Sequence, residues 1–434
     1  MFEGLSRARG GLRKAGLALA LSTALVAGAL SPMLATAQET TLKFVSWQND
    51  EPGVGGWWAS LIEEFRAQHP GVEVEWTKVE RAAFADTMTT LFAGGSPPDI
   101  VHLASFEFQR FANEGWLEDL GPWFDKGGVG LDGWAGQQIC EFNGETACVM
   151  MLYFGYIMAY NQAILDAEGL AAPTSYEELL EVARKTTKDL NGDGIIDQFG
   201  LHHPTKVGGG QYVTEMLNYV LDAGGRWTNA EGQVTINTPE VIEGLTRWKT
   251  IVTEGLMPRD LSSGETRQLL ADGKIAVGLD GPWLVPILAK GAASEDVKIV
   301  ADPLSPPVGG SSNVLGMAKD ISDEHKALVW DFIQLAMSDE FQSTYATLAA
   351  SPAPSPRADI TEATAVTPEF GLLVEGARAA SAEGIDRIPV GLEIQYNEFA
   401  KMVMEESQRM IIEDLDPAAV AATMQARAEE LQNQ

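Results

Sequence analysis

Twelve residues, DLNGDGIIDQFG from Asp189 to Gly200, carry side-chain oxygens at the spacing of an EF-hand calcium loop. Asp189, Asn191, Asp193 and Asp197 stand at its first, third, fifth and ninth positions, where oxygen ligands belong. The twelfth position needs a bidentate Glu, and Gly200 occupies it. Asn191-Gly192-Asp193-Gly194 is also a turn sequence in its own right. The stretch therefore reads as a turn, with these four residues a weak calcium candidate and no other cofactor expected.

Other chemistries leave fainter signs. Cys140 and Cys148, the only two cysteines, flank Asn143-Gly144 in CEFNGETAC. Asn-Gly is a strong hairpin signal and puts the two Cys on facing strands, so a structural disulfide is expected in an exported chain. The five His, adjacent His202 and His203 among them, show no H-E-x-x-H spacing. Glycoside hydrolysis would need an acid and a nucleophile, and no carboxylate pair such as Glu107 and Asp280 is placed by motif in those roles.

The N-terminal sequence bears on where such chemistry would occur. Basic Arg7, Arg9, Arg13 and Lys14 precede an apolar stretch from Ala15 to Leu30 and then Ala35-Thr36-Ala37. These are the three parts of a secretory signal peptide, expected to span residues 1–37 with cleavage before Gln38. The apolar stretch is short for the roughly 20 residues of a membrane span. No Cys stands near that site to take a lipid. The expectation is a periplasmic, monomeric protein with no membrane insertion after cleavage.

With 30 Lys and Arg against 61 Asp and Glu, the chain carries a formal charge of −31 and repels nucleic acid and anionic lipid. Its carboxylates lie along helix faces such as LIEEF and SYEELLE, where they serve solubility. A strongly anionic ligand would need a local basic pocket, and no Lys or Arg cluster outside the signal supplies one.

The elements that must position any site follow an α/β order. TLKFVSW reads as a buried strand, GGWWASLIEEFRAQHPG as a helix with Trp57, Trp58, Leu61, Ile62 and Phe65 on one face, VEVEW as a strand, FADTMTTLFAGG as a helix and PPDIVHL as a strand. A βαβαβ series implies a parallel sheet covered on both faces. A second α/β unit begins after the long apolar run VMMLYFGYIMAYN, with Ser175 and Glu178 as a capping box. Thr238-Pro239 opens a helix, KIAVGLDGPWLVPIL contains a short buried strand, and SDEHKALVWDFIQLAMSDEFQSTYATLA is one helix or two. About 400 residues after cleavage imply two domains.

In this order, LKFVSWQ, LIEEFRAQHPGVEVE, LFAGGSPPDIVHL, FANEGWLEDL, YNQAILDAEGLAAPTSYEELLEVARK, NGDGIIDQFGL, GGRWTN, GKIAVGLDGPW and DFIQLAMSDEFQSTYA resemble the bacterial extracellular solute-binding proteins of sugar ABC importers, of the maltose-binding type. The resemblance implies an α/β, two-lobed periplasmic binding protein fold with hinge-linked lobes and a ligand cleft between them. It implies lobe 1 over 38–150 and 302–350 and lobe 2 over 151–301 and 351–434, with the Pro-rich SPAPSP as a stiff crossing. The family commonly has a Tyr-containing strand with a Pro after the hairpin; CVMMLYFGYIMAYN has no Pro, and the cysteine pair is not a general family feature.

A neutral sugar is held by a flat ring against its C–H face and by planar polar side chains that satisfy its hydroxyls. Trp283 follows a buried strand and matches the Trp of the family's GPW, and Asp280 shares its loop. Trp47, Gln48 and Asp50 after the first strand, and Ser105, Phe106 and Glu107 after DIVHL, match the family's first-lobe sugar contacts. Trp227 and Tyr396 are second-lobe candidates, each with a rival as a packing aromatic. The expected function is capture of a mono- or disaccharide or polyol and its delivery to an inner-membrane ABC permease, without covalent chemistry. The alternatives are the same fold binding an amino acid, peptide or phosphorylated solute through Arg81, Arg226 or Arg259, and a secreted glycoside hydrolase.

Overall fold

The computed structural model describes residues 40–206, 208–382 and 387–433. The expected signal peptide lies outside the described residues.

Among the described residues thirteen strands appear in chain order: β1 Thr40–Ser46, β2 Val72–Lys78, β3 Ile100–Ala104, β4 Glu141–Phe142, β5 Glu145–Thr146, β6 Val149–Met150, β7 Tyr153–Gly155, β8 Ile157–Asn161, β9 Phe199–His202, β10 Ile275–Asp280, β11 Val297–Ala301, β12 Gly309–Ser311 and β13 Asn313–Met317. The first sheet has the order β2-β1-β3-β13-β6. Its β1–β2 and β1–β3 pairs are parallel, as the βαβαβ series requires, and β13 joins antiparallel to β3. Helix Val54–Gln68 buries Trp57, Trp58, Leu61, Ile62 and Phe65. Trp57 also donates from Nε1 to Phe341 O at 2.8 Å, tying that helix to Asp339–Leu348.

The second sheet has the order β11-β8-β10-β9, and a two-stranded antiparallel ribbon of β7 and β12 stands apart from both sheets. The apolar run VMMLYFGYIMAYN thus divides into β6 in the first sheet, β7 in the ribbon and β8 in the second. Burial on both faces makes the run look continuous; only its change of hydrogen-bond partner divides it. The chain returns from β11 through β12 to β13, so two strands connect the sheets side by side. The result is the two-lobed α/β architecture.

Helix Phe370–Ala382 lies on the ribbon so closely that a Cβ on Gly155 would stand 2.1 Å from Gly376 O. Glycine is required there because backbone meets backbone.

The hairpin turns at Asn143 and Gly144, with φ of 52° and 82°, and Cys140 and Cys148 outside it form a disulfide. Thr238 caps its helix with Pro239 in the first turn. Near the C-terminus, SDEHKALVWDFIQLAMSDEFQSTYATLA is two helices, Asp323–Met337 and Asp339–Leu348, meeting at Ser338. One expectation is corrected: Ser175 Oγ accepts from Glu178 N, but the Glu178 carboxylate reaches Thr174 N and Oγ1 instead of closing the box on Ser175. A complete capping box stands at Ser262 and Glu265.

Candidate ligand cleft

Ends of elements from both sheets meet around a cavity of about 680 Å3. From the first-sheet side come the loop after β1 with Trp47, Gln48, Asp50 and Glu51, the segment around Arg81, and Phe106 after β3. From the second come Tyr156 before β8, Gln211, Thr214, the turn Ser262–Ser263, Arg267 and Trp283 after β10. Ser312 and Arg387 close the floor beside the ribbon. Open α/β sheets place ligands past strand ends in this way.

Among the described residues Trp283 is one of two indoles on the cavity wall, with Trp47. It is half-buried in the wall, and its Nε1 donates to Asp280 Oδ1 at 2.6 Å, so the indole edge is fixed. The Phe154 ring centre stands 4.9 Å from it and the Arg267 guanidinium 5.5 Å. Trp47 lines the cavity too, but its ring stacks on His102 at 4.1 Å, meets Phe84 edge-on at 4.8 Å and has the Arg81 guanidinium 4.8 Å from its centre. Burial lowers the His102 pKa to about 3, so the imidazole behind Trp47 is neutral. Phe106 is likewise engaged, between Arg387 at 4.6 Å and Arg81 at 5.3 Å, with the Tyr396 ring at 5.2 Å.

Gln48 and Asp50 reach the cavity wall. Gln48 Oε1 accepts from Trp58 Nε1 at 2.9 Å, and Asp50 accepts from Lys78 at 2.7 Å. Asp280, Ser105, Glu107, Trp227 and Tyr396 stand behind the wall instead of on it. Asp280 is fully buried and takes two hydrogen bonds from Arg267, at 2.7 and 3.2 Å. Glu107 holds Arg81 at 2.8 Å, and Ser105 Oγ donates to Ser311 O. Trp227 packs edge-on against Phe399, and Tyr396 donates through its hydroxyl to Gly210 O at 3.4 Å. Arg259 bonds Val252 O, and Arg226 bonds Gly225 O at 2.8 Å.

The expectation that no basic cluster exists is also corrected, because the fold gathers Lys78, Arg81, Lys206, Arg267 and Arg387 around one cavity. Three of these charges are paired with carboxylates. Lys78 lies between Asp50 and Glu80, Arg81 on Glu107, and Arg267 on Asp280. Arg387 donates to Ser311 O and Ser312 O, each at 3.0 Å. The acids that hold Lys78, Arg81 and Arg267 offset much of the field an anion would need.

Behind the second wall, Tyr156 donates to Glu215 Oε1 at 3.1 Å, Glu215 Oε2 meets His203 Nδ1 at 3.1 Å, and His203 Nε2 meets the Tyr219 hydroxyl at 2.6 Å. Burial raises the Glu215 carboxyl and pushes both phenols well up. Such a closed network stiffens the wall that carries Tyr156.

In the calcium candidate, Asp189 accepts from Gly192 N and Gly194 N, Asn191 from Asp193 N, Asp193 from Ile195 N and Asp197 from Leu190 N. Those are the bonds of a self-capped turn. Among the described residues no three His, Cys, Asp or Glu side chains are grouped to hold a metal.

The family described as bacterial extracellular solute-binding protein matches residues 49–343. An uncharacterized lipoprotein in the oleD 5' region of Streptomyces antibioticus is 32% identical over 236 residues, covering 51% of this chain and 48% of that protein. The putative ABC transporter periplasmic-binding protein YcjN of Escherichia coli (strain K12) is 24% identical over 272 residues, covering 61% of this chain and 60% of that protein. The matched stretch is thus about half of the first relative's length and three-fifths of the second's. Among solved structures, maltose-bound MalE3 of T. maritima superposes with a TM-score of 0.78 at 18% identity, over 90% of this chain and all of that one.

Proposed function

The chain belongs to the bacterial extracellular solute-binding proteins, and from that membership we propose that it captures a neutral carbohydrate, a mono- or disaccharide or a polyol, and delivers it to an ABC permease. The family and its structural neighbours are binding proteins. The observation that carries the ligand class is the cavity's balance: half-buried indoles of Trp47 and Trp283 on its wall, fixed donors, and Lys78, Arg81 and Arg267 held by carboxylates. Hydroxyls satisfy such donors and acceptors without bringing a charge, and an apolar ring covers the sugar's C–H face. Trp283 is the stacking platform in this proposal, with Trp47, Gln48, Asp50, Phe106 and Tyr156 shaping the cavity and Asp280 positioning the indole.

The proposed lobes are 38–150 with 302–350 and 151–301 with 351–434, turning about the β7–β12 ribbon. Ligand contacts made only when the lobes meet would drive closure. Export to the periplasm would follow cleavage before Gln38; among the described residues no helix is long and apolar enough to cross a membrane. A hydrolytic role has less support, since Glu107 and Asp280 are both bound to arginines.

The test is a thermal-shift screen of residues 38–434 against sugars, polyols, amino acids and sugar phosphates. A ligand at 100 times its Kd adds about 2.7 kcal/mol of stability. Stabilisation by a neutral sugar or polyol is the expected result, and stabilisation only by charged solutes would reject the ligand class.

A further inference from the structure

Glu51 sits in the loop before helix Val54–Gln68, half-buried in the cavity wall. The other acids at the cavity already have partners. Asp50 and Glu80 hold Lys78, Glu265 caps Ser262, and behind the wall Glu107 and Asp280 hold arginines. Glu51 forms no ion pair among the described residues. Its neighbour is the Gln48 amide, whose oxygen is taken by Trp58 and whose NH2 is left to donate. Arg267, on helix Ser263–Ala271 of the opposite wall, is its strongest attraction, ahead of the Gln48 hydrogen bond and of Arg81 on its own side. Asp50 beside it and the Tyr345 hydroxyl on Asp339–Leu348 are the other titratable groups that face it.

We propose that Glu51 is the specificity-determining carboxylate of the cleft, accepting the ligand's hydroxyls in its ionised form, so that capture releases a proton. This rests on the carbohydrate reading. An ionised carboxylate only accepts hydrogen bonds, and its two oxygens fit a pair of neighbouring hydroxyls. Glu51 alone of these acids brings to the cavity a carboxyl not already committed to a cation or a cap. Burial outweighs Arg267 and raises its pKa to about 7, so a substantial share carries a proton at neutral pH. A bound hydroxyl donating to that carboxylate favours the charged form, and the proton leaves to solvent. Affinity therefore strengthens as pH rises toward 8 and weakens as it falls.

The test uses residues 38–434 with glucose, maltose and ribitol as probes, by calorimetry from pH 6 to pH 8. At pH 7 the apparent binding enthalpy is compared in two buffers of different ionisation enthalpy. If only the ionised form binds, Kd weakens about tenfold from pH 8 to pH 6, and close to half a proton is released per ligand at pH 7. Glu51→Gln keeps the side chain's size and abolishes both effects. A Kd that does not change with pH, one that weakens as pH rises, or a dependence that survives in Glu51→Gln overturns the inference and leaves the carbohydrate reading standing. Failure of every sugar and polyol at every pH overturns that reading, and this inference with it. Proton release by the wild-type protein does not depend on how well the variant folds.

Discussion

Asp280 and Trp283 are joined by a 2.6 Å hydrogen bond from the indole to a carboxylate that also takes two bonds from Arg267. One fully buried charge thereby fixes a guanidinium and an indole ring on the same wall. The two residues should fail differently. Trp283→Ala removes a half-exposed face and leaves the ion pair, so affinity for a neutral sugar should fall about tenfold to a hundredfold with little change in melting temperature. Asp280→Ala leaves Arg267 buried and unpaired, which costs roughly 3–5 kcal/mol of stability. Calorimetric binding and urea denaturation of both variants read the difference.

Gly281 offers a finer test of the same ring. Its φ of −82° and ψ of −179° suit any residue, so an added methyl strains no torsion. A Cβ there would nevertheless stand 2.4 to 2.7 Å from three atoms of the Trp283 indole. Gly281→Ala should turn the ring out of place and weaken sugar binding several-fold, detectable as a changed Trp fluorescence response on titration. An unchanged affinity would mean that the indole does not stack on the ligand.

How much of this was legible in the sequence depends on the range of the interaction. Trp57, Trp58, Leu61 and Phe65 declare a helix face by periodicity, and Asn143-Gly144 declares a hairpin by conformation, because both signals are local. Glu51, Arg81, Arg267 and Arg387 are far apart in the chain and meet only through the two-sheet topology, so neither their gathering nor its compensation by Glu107 and Asp280 is written in any window. Trp227 comes one residue after Gly224-Gly225 and Trp283 directly after Gly281-Pro282, yet one packs on Phe399 and the other lines the cavity. Local sequence does not separate a packing indole from a binding one.

The Cys140–Cys148 disulfide closes a short loop, with a sequence separation of 8. Chain-entropy arguments assign about 2–3 kcal/mol to a loop of that size. Cys140→Ser with Cys148→Ser should lower the urea midpoint accordingly, and reductant should lower the wild-type midpoint toward the same value. Both cysteines lie on the first-sheet side, away from the cavity wall, so ligand affinity should be retained.

Asp302 gives stability its own dependence on pH. It follows β11 and accepts from Leu304 N and from Asn218 Nδ2, each at 2.9 Å. Desolvation outweighs these bonds and raises its carboxyl from 3.8 to about 7, with Asp222 adding to the rise. Between those two values the unfolded chain has lost the proton while the folded chain keeps it, so stability falls as pH rises. The contribution is fully present below the unfolded value, is lost as pH rises through about 7, and is flat above. The excess of 61 acidic over 30 basic residues acts in the same direction, since acid relieves the self-repulsion. The unfolding midpoint should therefore be higher at pH 5.5 than at pH 8. Asp302→Asn sets an amide NH2 against that of Asn218 and should lower the midpoint at every pH, so the informative quantity is the slope. If Asp302 titrates as described, the variant's midpoint changes less between these two pH values than the wild type's, and equal slopes would assign the dependence to other groups, Glu51 and the surface charge.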